Sequence, residues 1–482
     1  MSRCLIAALT LLSLSVAPAA AAVAAVAVEP SEALLREAAE LRDLALAESD
    51  AWRHAASLTT EVGPRFAGSS GDRAAVAWAL AYLDGLGFDT VIPQTVTVPA
   101  WERGEAELRI TAPWPQPLVG VSLGLSIGTP ADGIEAPVVR FESVAALEAA
   151  TSATVRGHIV FIDEKMERTL DGSGYSAAVA KRSRGPSVAS ERGAVATVIR
   201  SVGTSSERFA HTGTTRFAEG VRPIPAFALA APDADMLARQ VATGRDVLLH
   251  LHSTARQLPP ARSANVIADI QGTTRPEEIV ILGAHLDSWD LATGAQDNAS
   301  GVAIVLEVAR LIAARERGPA RTVRVVLYAN EEAGLDGSRA YTAAALETGL
   351  RHVIGLEADS GAGRVYEFSS GVGEAALPTI EAMHGVLAPL GIAAGDNATR
   401  GGADLSTLRD AGMPLLRLLH DMSEYFDVHH TINDTLDKID PEMLRQAVAA
   451  YAAVTWIAAN VEGDFGQYPV PVAPVDPAAS GN

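Results

Sequence analysis

The chain has 482 residues, 48% of them hydrophobic, and a formal net charge of −20. That length exceeds one compact core of ordinary size, so two domains are expected, and the apolar fraction suits a packed globular enzyme. The acidic balance, spread along the chain without a basic face, argues against nucleic acid or an anionic membrane surface as partner.

Residues 1–22, MSRCLIAALTLLSLSVAPAAAA, start with Arg3, run through an apolar stretch from Leu5 to Val16 and end on small residues. This is the pattern of a secretory signal peptide, too short to span a bilayer. The mature protein is therefore expected to be soluble and exported, to the periplasm or beyond it. Cys4 is the one cysteine and would leave with the signal. That rules out a disulfide and thiol chemistry in the mature chain, so any metal must be held by His, Asp and Glu.

Residues 32–58 read as a helix, possibly broken, followed by the glycine-rich loop GPRFAGSSG and the amphipathic helix DRAAVAWALAYLDGL. Residues 88–110 read as extended. From 113 to 255 short apolar runs alternate with turns, among them APVVRF, GHIVFID, GAVATVIR and DVLLHLH, with one helix at DADMLARQVATG. This texture predicts a separate β-rich domain. From about 264 the rhythm becomes strand, loop, helix. EEIVILGAH, RTVRVVLYAN, HVIGLEAD and PLLRLLHD are the strands, and NASGVAIVLEVARLIAARER is a long helix. A last helix follows, with Asp440 as N-cap and Pro441 at its first position. The fold class is α/β, a central sheet with helices on both faces. A proline-rich tail from 467 to 482 is expected to be disordered.

In such sheets ligands bind beyond the carboxyl ends of the strands. His285 and Asp287 close one strand, Glu331 and Glu332 a second, Asp359 a third. His429 and His430 follow a fourth, and Asp297 stands just before a helix. Each has an ordinary use when taken alone: a half-buried histidine, a solvated loop, a helix cap. Together they predict one rim of carboxylates and imidazoles suited to Zn²⁺ or a similar divalent ion. Two such ions need about two nitrogen ligands, terminal carboxylates and one bridging carboxylate, and the inventory supplies them. Neighbouring side chains at a strand end diverge, so one of Glu331 and Glu332 can ligate while the other holds a proton. GLSIG around Ser126 matches a nucleophile elbow, but Pro130 and Gly133 follow where a helix is required. His211 is read as structural.

The segments GAHLDSWD, GAQDNASG, YANEEAGLDGSRAY, LEADSGAG and YFDVHHTINDT together resemble the M28 family of zinc peptidases, and within it the carboxypeptidase Q subgroup. RGHIVFID, ERGAVATVIR and RPIPAFALA resemble the protease-associated domain inserted in these enzymes. The resemblance implies a peptidase domain split into residues 32–112 and 256–466, a mixed sheet, and an insert at 113–255. It implies a dizinc centre, other divalent ions being possible, in which Asp297 bridges the ions. His285 and Asp359 would complete one ion, Glu332 and His430 the other. Glu331 would be the general base and Asp287 would orient His285. The histidine before TINDT is His430, which is why it is preferred to His429. The family also suggests a cis Asp297–Asn298 peptide, a substrate-side loop at TRGGADLSTLRD, and a homodimer. Asp404 in that loop would contact a substrate amino group or cap a helix. The expected substrates are small unblocked peptides, above all dipeptides. The alternatives are an aminopeptidase on longer chains, a non-catalytic receptor-like protein, and a single-zinc cyclotransferase.

Overall fold

The computed structural model of the chain describes residues 29–468. The expected signal peptide and tail residues 469–482 lie outside the described residues. Tyr468, assigned from sequence to a disordered tail, is instead buried and donates its hydroxyl to the carbonyl of Thr399 at 3.0 Å.

The first helix, Glu32–Glu48, is capped by Ser31, whose hydroxyl accepts from the Leu34 N–H. It buries Leu34, Ala38, Leu41 and Ala45, one stripe at helical spacing, against the C-terminal helix Pro441–Asn460. That helix starts as expected, with the Asp440 carboxylate accepting from the N–H groups of Glu442 and Met443. The stretch 32–58 is broken after residue 48, and Ala51–Ser57 is a separate helix.

Eight strands form the first sheet, in the spatial order Thr90–Glu102, Arg256–Ile270, Arg321–Tyr328, Arg275–His285, Arg351–Glu357, Leu415–His420, Val365–Gly371, Ala393–Ala394. The third to sixth run parallel to one another, and the outer pairings are mostly antiparallel. The sheet is covered on both faces, which explains the unbroken apolar run Ile279–Leu282. Val280, Leu282 and Ala284 pack with the helices Glu32–Glu48, Ser300–Ala313 and Pro441–Asn460. Ile279 and Ile281 pack on the opposite side with Tyr341 and Leu405, following the two-residue period of a strand. Because the four central strands are parallel, their carboxyl ends at Tyr328, His285, Glu357 and His420 share one edge.

The second sheet also has eight strands, in the order Gln116–Leu118, Ala106–Ala112, Leu248–Ser253, Ile134–Phe141, Ile159–Ile162, Ala196–Arg200, Ala226–Leu229, Gly120–Ser122. It departs from the sequence reading in two ways. Ala106–Ala112 pairs with Leu248–Ser253, so this sheet begins before residue 113; the extended stretch 88–110 conceals a change of sheet at Arg103–Glu105. The segment is also less purely β than expected. Helices Ser173–Ala178, Ala180–Ser183 and Gly185–Glu191 lie within it. They are short and rich in Ser, Gly and Ala, and so lack a long apolar stripe to read. Among the described residues no helix is long and apolar enough to cross a membrane.

Where the helices meet, Glu307 is buried at 0% exposure and collects Arg310 Nε at 2.6 Å, His54 Nε2 at 3.0 Å and the Asp50 N–H at 2.8 Å. Burial alone would raise its pKa, but these hydrogen bonds override it and hold the carboxyl down to about 2. A depressed carboxyl stabilises the fold above its unfolded value and loses that contribution as pH falls through the folded value. Glu307→Gln is therefore expected to lower stability by about 2 kcal/mol at neutral pH. In urea titrations the gap should close between pH 4.5 and about 2; a pH-independent gap would contradict the assignment.

Candidate metal centre

His285 is the last residue of its strand, and its ring is fully buried. Nδ1 lies 3.0 Å from the carbonyl oxygen of Asp287. A carbonyl only accepts, so Nδ1 is the donor and Nε2 faces the site. Nε2 is 3.1 Å from Asp297 Oδ1 and 3.3 Å from Asp359 Oδ1. Burial would lower the pKa of this ring, but Asp359, Asp287 and Asp297 hold it well above the ordinary histidine value. The site thus draws positive charge to the point where three groups converge.

Asp297 is the hub. Its Oδ1 faces His285, and its Oδ2 lies 3.2 Å from His430 Nε2 and 3.3 Å from His429 Nε2. The Asp297–Asn298 peptide is cis. The residues around it are tied down. Asp434 accepts from the N–H groups of Gln296 at 2.6 Å and Asp297 at 3.1 Å. The Asn298 side chain spans from the Ala358 carbonyl to the Gly301 N–H. A Cβ on Gly301 would meet the Ala358 carbonyl oxygen at 2.0 Å, so only glycine lets this helix start approach the strand end that carries Asp359.

The loop after Arg321–Tyr328 presents Glu331 and Glu332. Glu332 Oε2 lies 2.9 Å from His430 Nε2, while Oε1 is buried without a hydrogen-bond partner. Glu331 also borders the cleft. Burial and the nearby carboxylates of Asp359, Glu332 and Asp297 raise its pKa well above the usual range, against the opposing effect of His285. Asp287 does more than contact the His285 ring. Its carboxylate accepts the N–H groups of Glu331 at 3.1 Å and Glu332 at 3.4 Å. The His285 ring is held by the Asp287 carbonyl, with the carboxylate 3.6 Å away.

Both histidines of the HH pair reach Asp297, their rings stacked at 3.5 Å between centroids. Only His430 also reaches Glu332. His429 Nδ1 is buried without a partner, and burial next to His430 pushes this ring well below the ordinary histidine value. The second sheet supplies the surroundings. The Thr212 carbonyl and Arg182 Nη1 each lie 3.3 Å from His430 Nδ1. Thr214 Oγ1 donates to the Glu332 carbonyl at 2.7 Å, and His211 Nδ1 donates to the His429 carbonyl at 2.8 Å. The structural reading of His211 fits this contact. Ser126 is buried in irregular chain with no helix following it, so it has no elbow geometry.

Two residue sets could each hold a cation: His285, Asp297 and Asp359, and Asp297, His429 and His430. Within each set the donor atoms lie within 4.8 Å of one another, and both sets share Asp297. Imidazole nitrogens and carboxylate oxygens without thiolate fit Zn²⁺ or a related divalent ion. The partnerless buried oxygen of Glu332 fits it too. Asp404 is fully buried, both its carboxylate oxygens lack partners, and it does not cap the following helix. Burial and the nearby carboxylates of Glu357, Glu331 and Asp359 raise its pKa well above the usual range, against the opposing effect of His285.

One residue that the sequence reading passed over underlies the whole arrangement. Arg65, in the GPRFAGSSG loop, is fully buried. It donates to the carbonyls of Leu286 at 2.6 Å, Thr293 at 2.5 Å, Gly294 at 3.0 Å and Gly63 at 3.3 Å. It thereby fixes both ends of the loop between His285 and Asp297. Desolvation lowers its pKa to about 10, with Asp434 and Asp287 opposing, so it stays charged. Only its place in a glycine-rich loop could have signalled it.

The profile of peptidase family M28 matches residues 265–455. Over 420 residues the chain is 32% identical to carboxypeptidase Q of Bos taurus, covering 86% of each protein. Its identity to carboxypeptidase Q of Homo sapiens is 32% over 417 residues, again covering 86% of each. The crystal structure of a peptidase M28 precursor from Shewanella amazonensis superposes with a TM-score of 0.89 at 46% identity, covering 91% of this chain and 99% of that one. A zinc aminopeptidase from Bacillus subtilis shares the fold, with a TM-score of 0.62 at 21% identity, covering 86% and 97%.

Replacing Arg65 with Met would strand four carbonyl groups and loosen the loop. Groups of this supporting kind change metal affinity by about 10–100-fold when removed. Arg65→Met is expected to weaken zinc binding by that order in a competitive-chelator titration. Unchanged affinity in a folded variant would remove Arg65 from the account.

Proposed function

Because the chain belongs to peptidase family M28, a family of zinc metallopeptidases, we propose that it is a dizinc exopeptidase acting on small unblocked peptides, dipeptides above all. The observation that carries this reading is Asp297, whose two carboxylate oxygens face His285 and His430 separately. Asp297 would bridge two ions. His285 and Asp359 would complete one of them, Glu332 and His430 the other. Bound there, zinc would lower the pKa of a water towards neutrality and polarise the scissile carbonyl.

The residues of the chain do the rest. Glu331 borders the cleft, and its carboxylate has no hydrogen-bond or ion-pair partner among the described residues. It takes the proton of the attacking water and passes it to the leaving amine. Asp287, through the N–H groups of Glu331 and Glu332, fixes where that carboxylate stands. The cleft has a volume of about 680 Å³ and walls from both sheets, including Tyr175, Thr214 and Phe426. That size suits a small ligand. An exported location, from the expected signal peptide, suits recovery of amino acids from short peptides. The complete ligand set disfavours a non-catalytic receptor-like role.

Glu331→Gln separates an enzyme from a binding protein. Turnover of a free dipeptide is expected to fall by about 10²–10⁴-fold, the usual worth of a positioned proton-transfer group. Zinc content by elemental analysis should stay unchanged. Undiminished turnover would remove Glu331 as base. Equal cleavage of free peptides and of peptides blocked at both ends by the unaltered protein would remove the exopeptidase reading.

A further inference from the structure

Arg103 stands where the chain leaves the strand Thr90–Glu102 of the first sheet for Ala106–Ala112 of the second. Only 10% of its side chain is exposed, and the chemistry above gives it no role. Its Nε and Nη2 both donate to the Asp290 carboxylate, at 2.8 and 2.5 Å. Its Nη1 donates to the Ser122 carbonyl and, at 2.9 Å, to the Thr212 hydroxyl. That hydroxyl in turn donates to the Ser122 carbonyl at 3.3 Å. The guanidinium also lies against the rings of Trp101 and Trp289, 4.9 and 5.7 Å from their centroids. Asp290 belongs to the loop between His285 and Asp297, whereas Ser122 and Thr212 belong to the second sheet and its loops. One side chain therefore joins the two.

The join matters because of what Thr212 holds. Its N–H donates to the His430 carbonyl at 3.0 Å, and its own carbonyl lies 3.3 Å from Nδ1 of the His430 ring. Backbone and ring of His430 are both fixed by this one residue. Trp289, next to Asp290, packs its ring against that of His430 with centroids 5.6 Å apart. Arg182 bonds Thr212, His430 and Tyr175, all on the same side, so it moves with them. His285 depends on none of these groups. Its Nδ1 donates to the Asp287 carbonyl within its own loop, and Arg65 ties that loop separately. A guanidinium that grips a carboxylate with two donors fixes angle as well as distance. Arg103 thus sets how the half of the centre around His430 stands relative to the half around His285.

Resting on the dizinc reading above, we propose that Arg103 is a positioning residue for one of the two ions. By joining Asp290 to Thr212 it holds His430 at the spacing from Asp297 that the second cation needs, and it leaves the ion at His285 and Asp359 unaffected.

The test is a competitive-chelator titration of zinc into the full chain, resolving the two equivalents, for the unaltered protein, Arg103→Met, Asp290→Asn and the double variant. Anomalous diffraction at limiting zinc assigns each equivalent to its ligands. Each single variant is expected to weaken the equivalent at His430 by about tenfold, the lower end for groups that support a ligand. The equivalent at His285 should keep its affinity. A general loosening of the fold would not give that split. The double variant should lose no more than the weaker single variant, because both changes remove one link. Equal weakening of both equivalents in the conservative Asp290→Asn would overturn the inference. So would unchanged affinity in both single variants, or losses that add in the double. If the unaltered protein takes up only one zinc per chain, the dizinc reading falls and this inference falls with it.

Discussion

A buried carboxylate is costly unless positive charge meets it. The edge where the four parallel strands end gathers Asp297, Glu331, Glu332 and Asp359 around three rings, with His285 on one side of Asp297 and His429 and His430 on the other. That excess of negative charge is the constraint on which the rest depends. Metal ions would relieve it, and much of the surrounding chain keeps the groups from moving apart. Arg65 ties the loop from Leu286 to Gly294, Asp434 holds the backbone of Asp297, and Asp287 holds that of both glutamates. These contacts run to backbone groups, so they fix the positions of the loops without competing for the ligating atoms.

The second sheet is part of the site, not an appendage. Thr214 and His211 bond the carbonyls of Glu332 and His429, and the Thr212 carbonyl lies beside the outer nitrogen of His430. The half of the centre around His430 is therefore assembled from two units of structure, whereas the half around His285 comes from the first sheet and its loops. The cleft lies along this junction, so one movement of the second sheet would alter both the metal surroundings and the space for substrate.

Much of this was legible in the sequence because strand ends are easy to read. Apolar runs such as EEIVILG mark where a strand stops, and polar residues just beyond them must lie at the sheet edge. The helix start at Asp440 was legible for the same reason, since cap chemistry is local. What escaped depends on partners far along the chain. Arg65 reaches carbonyls more than 200 positions away, and a carbonyl acceptor leaves no trace in residue type. The carboxylate of Asp287 lies beside His285 and also takes two N–H groups of the next loop, which residue type does not announce. The short helices within 173–191 bury small residues together with Lys181 and Arg182, so no apolar periodicity marks them. The start of the second sheet near Ala106 hid inside one extended stretch because strands of different sheets read alike.

The most direct measurement is diffraction from crystals grown with zinc, with data collected on both sides of the zinc absorption edge. The account expects two anomalous peaks, one on each side of the Asp297 carboxylate, the first also contacted by His285 and Asp359 and the second by Glu332 and His430. A single peak, or peaks that leave Asp297 uncoordinated, would contradict it.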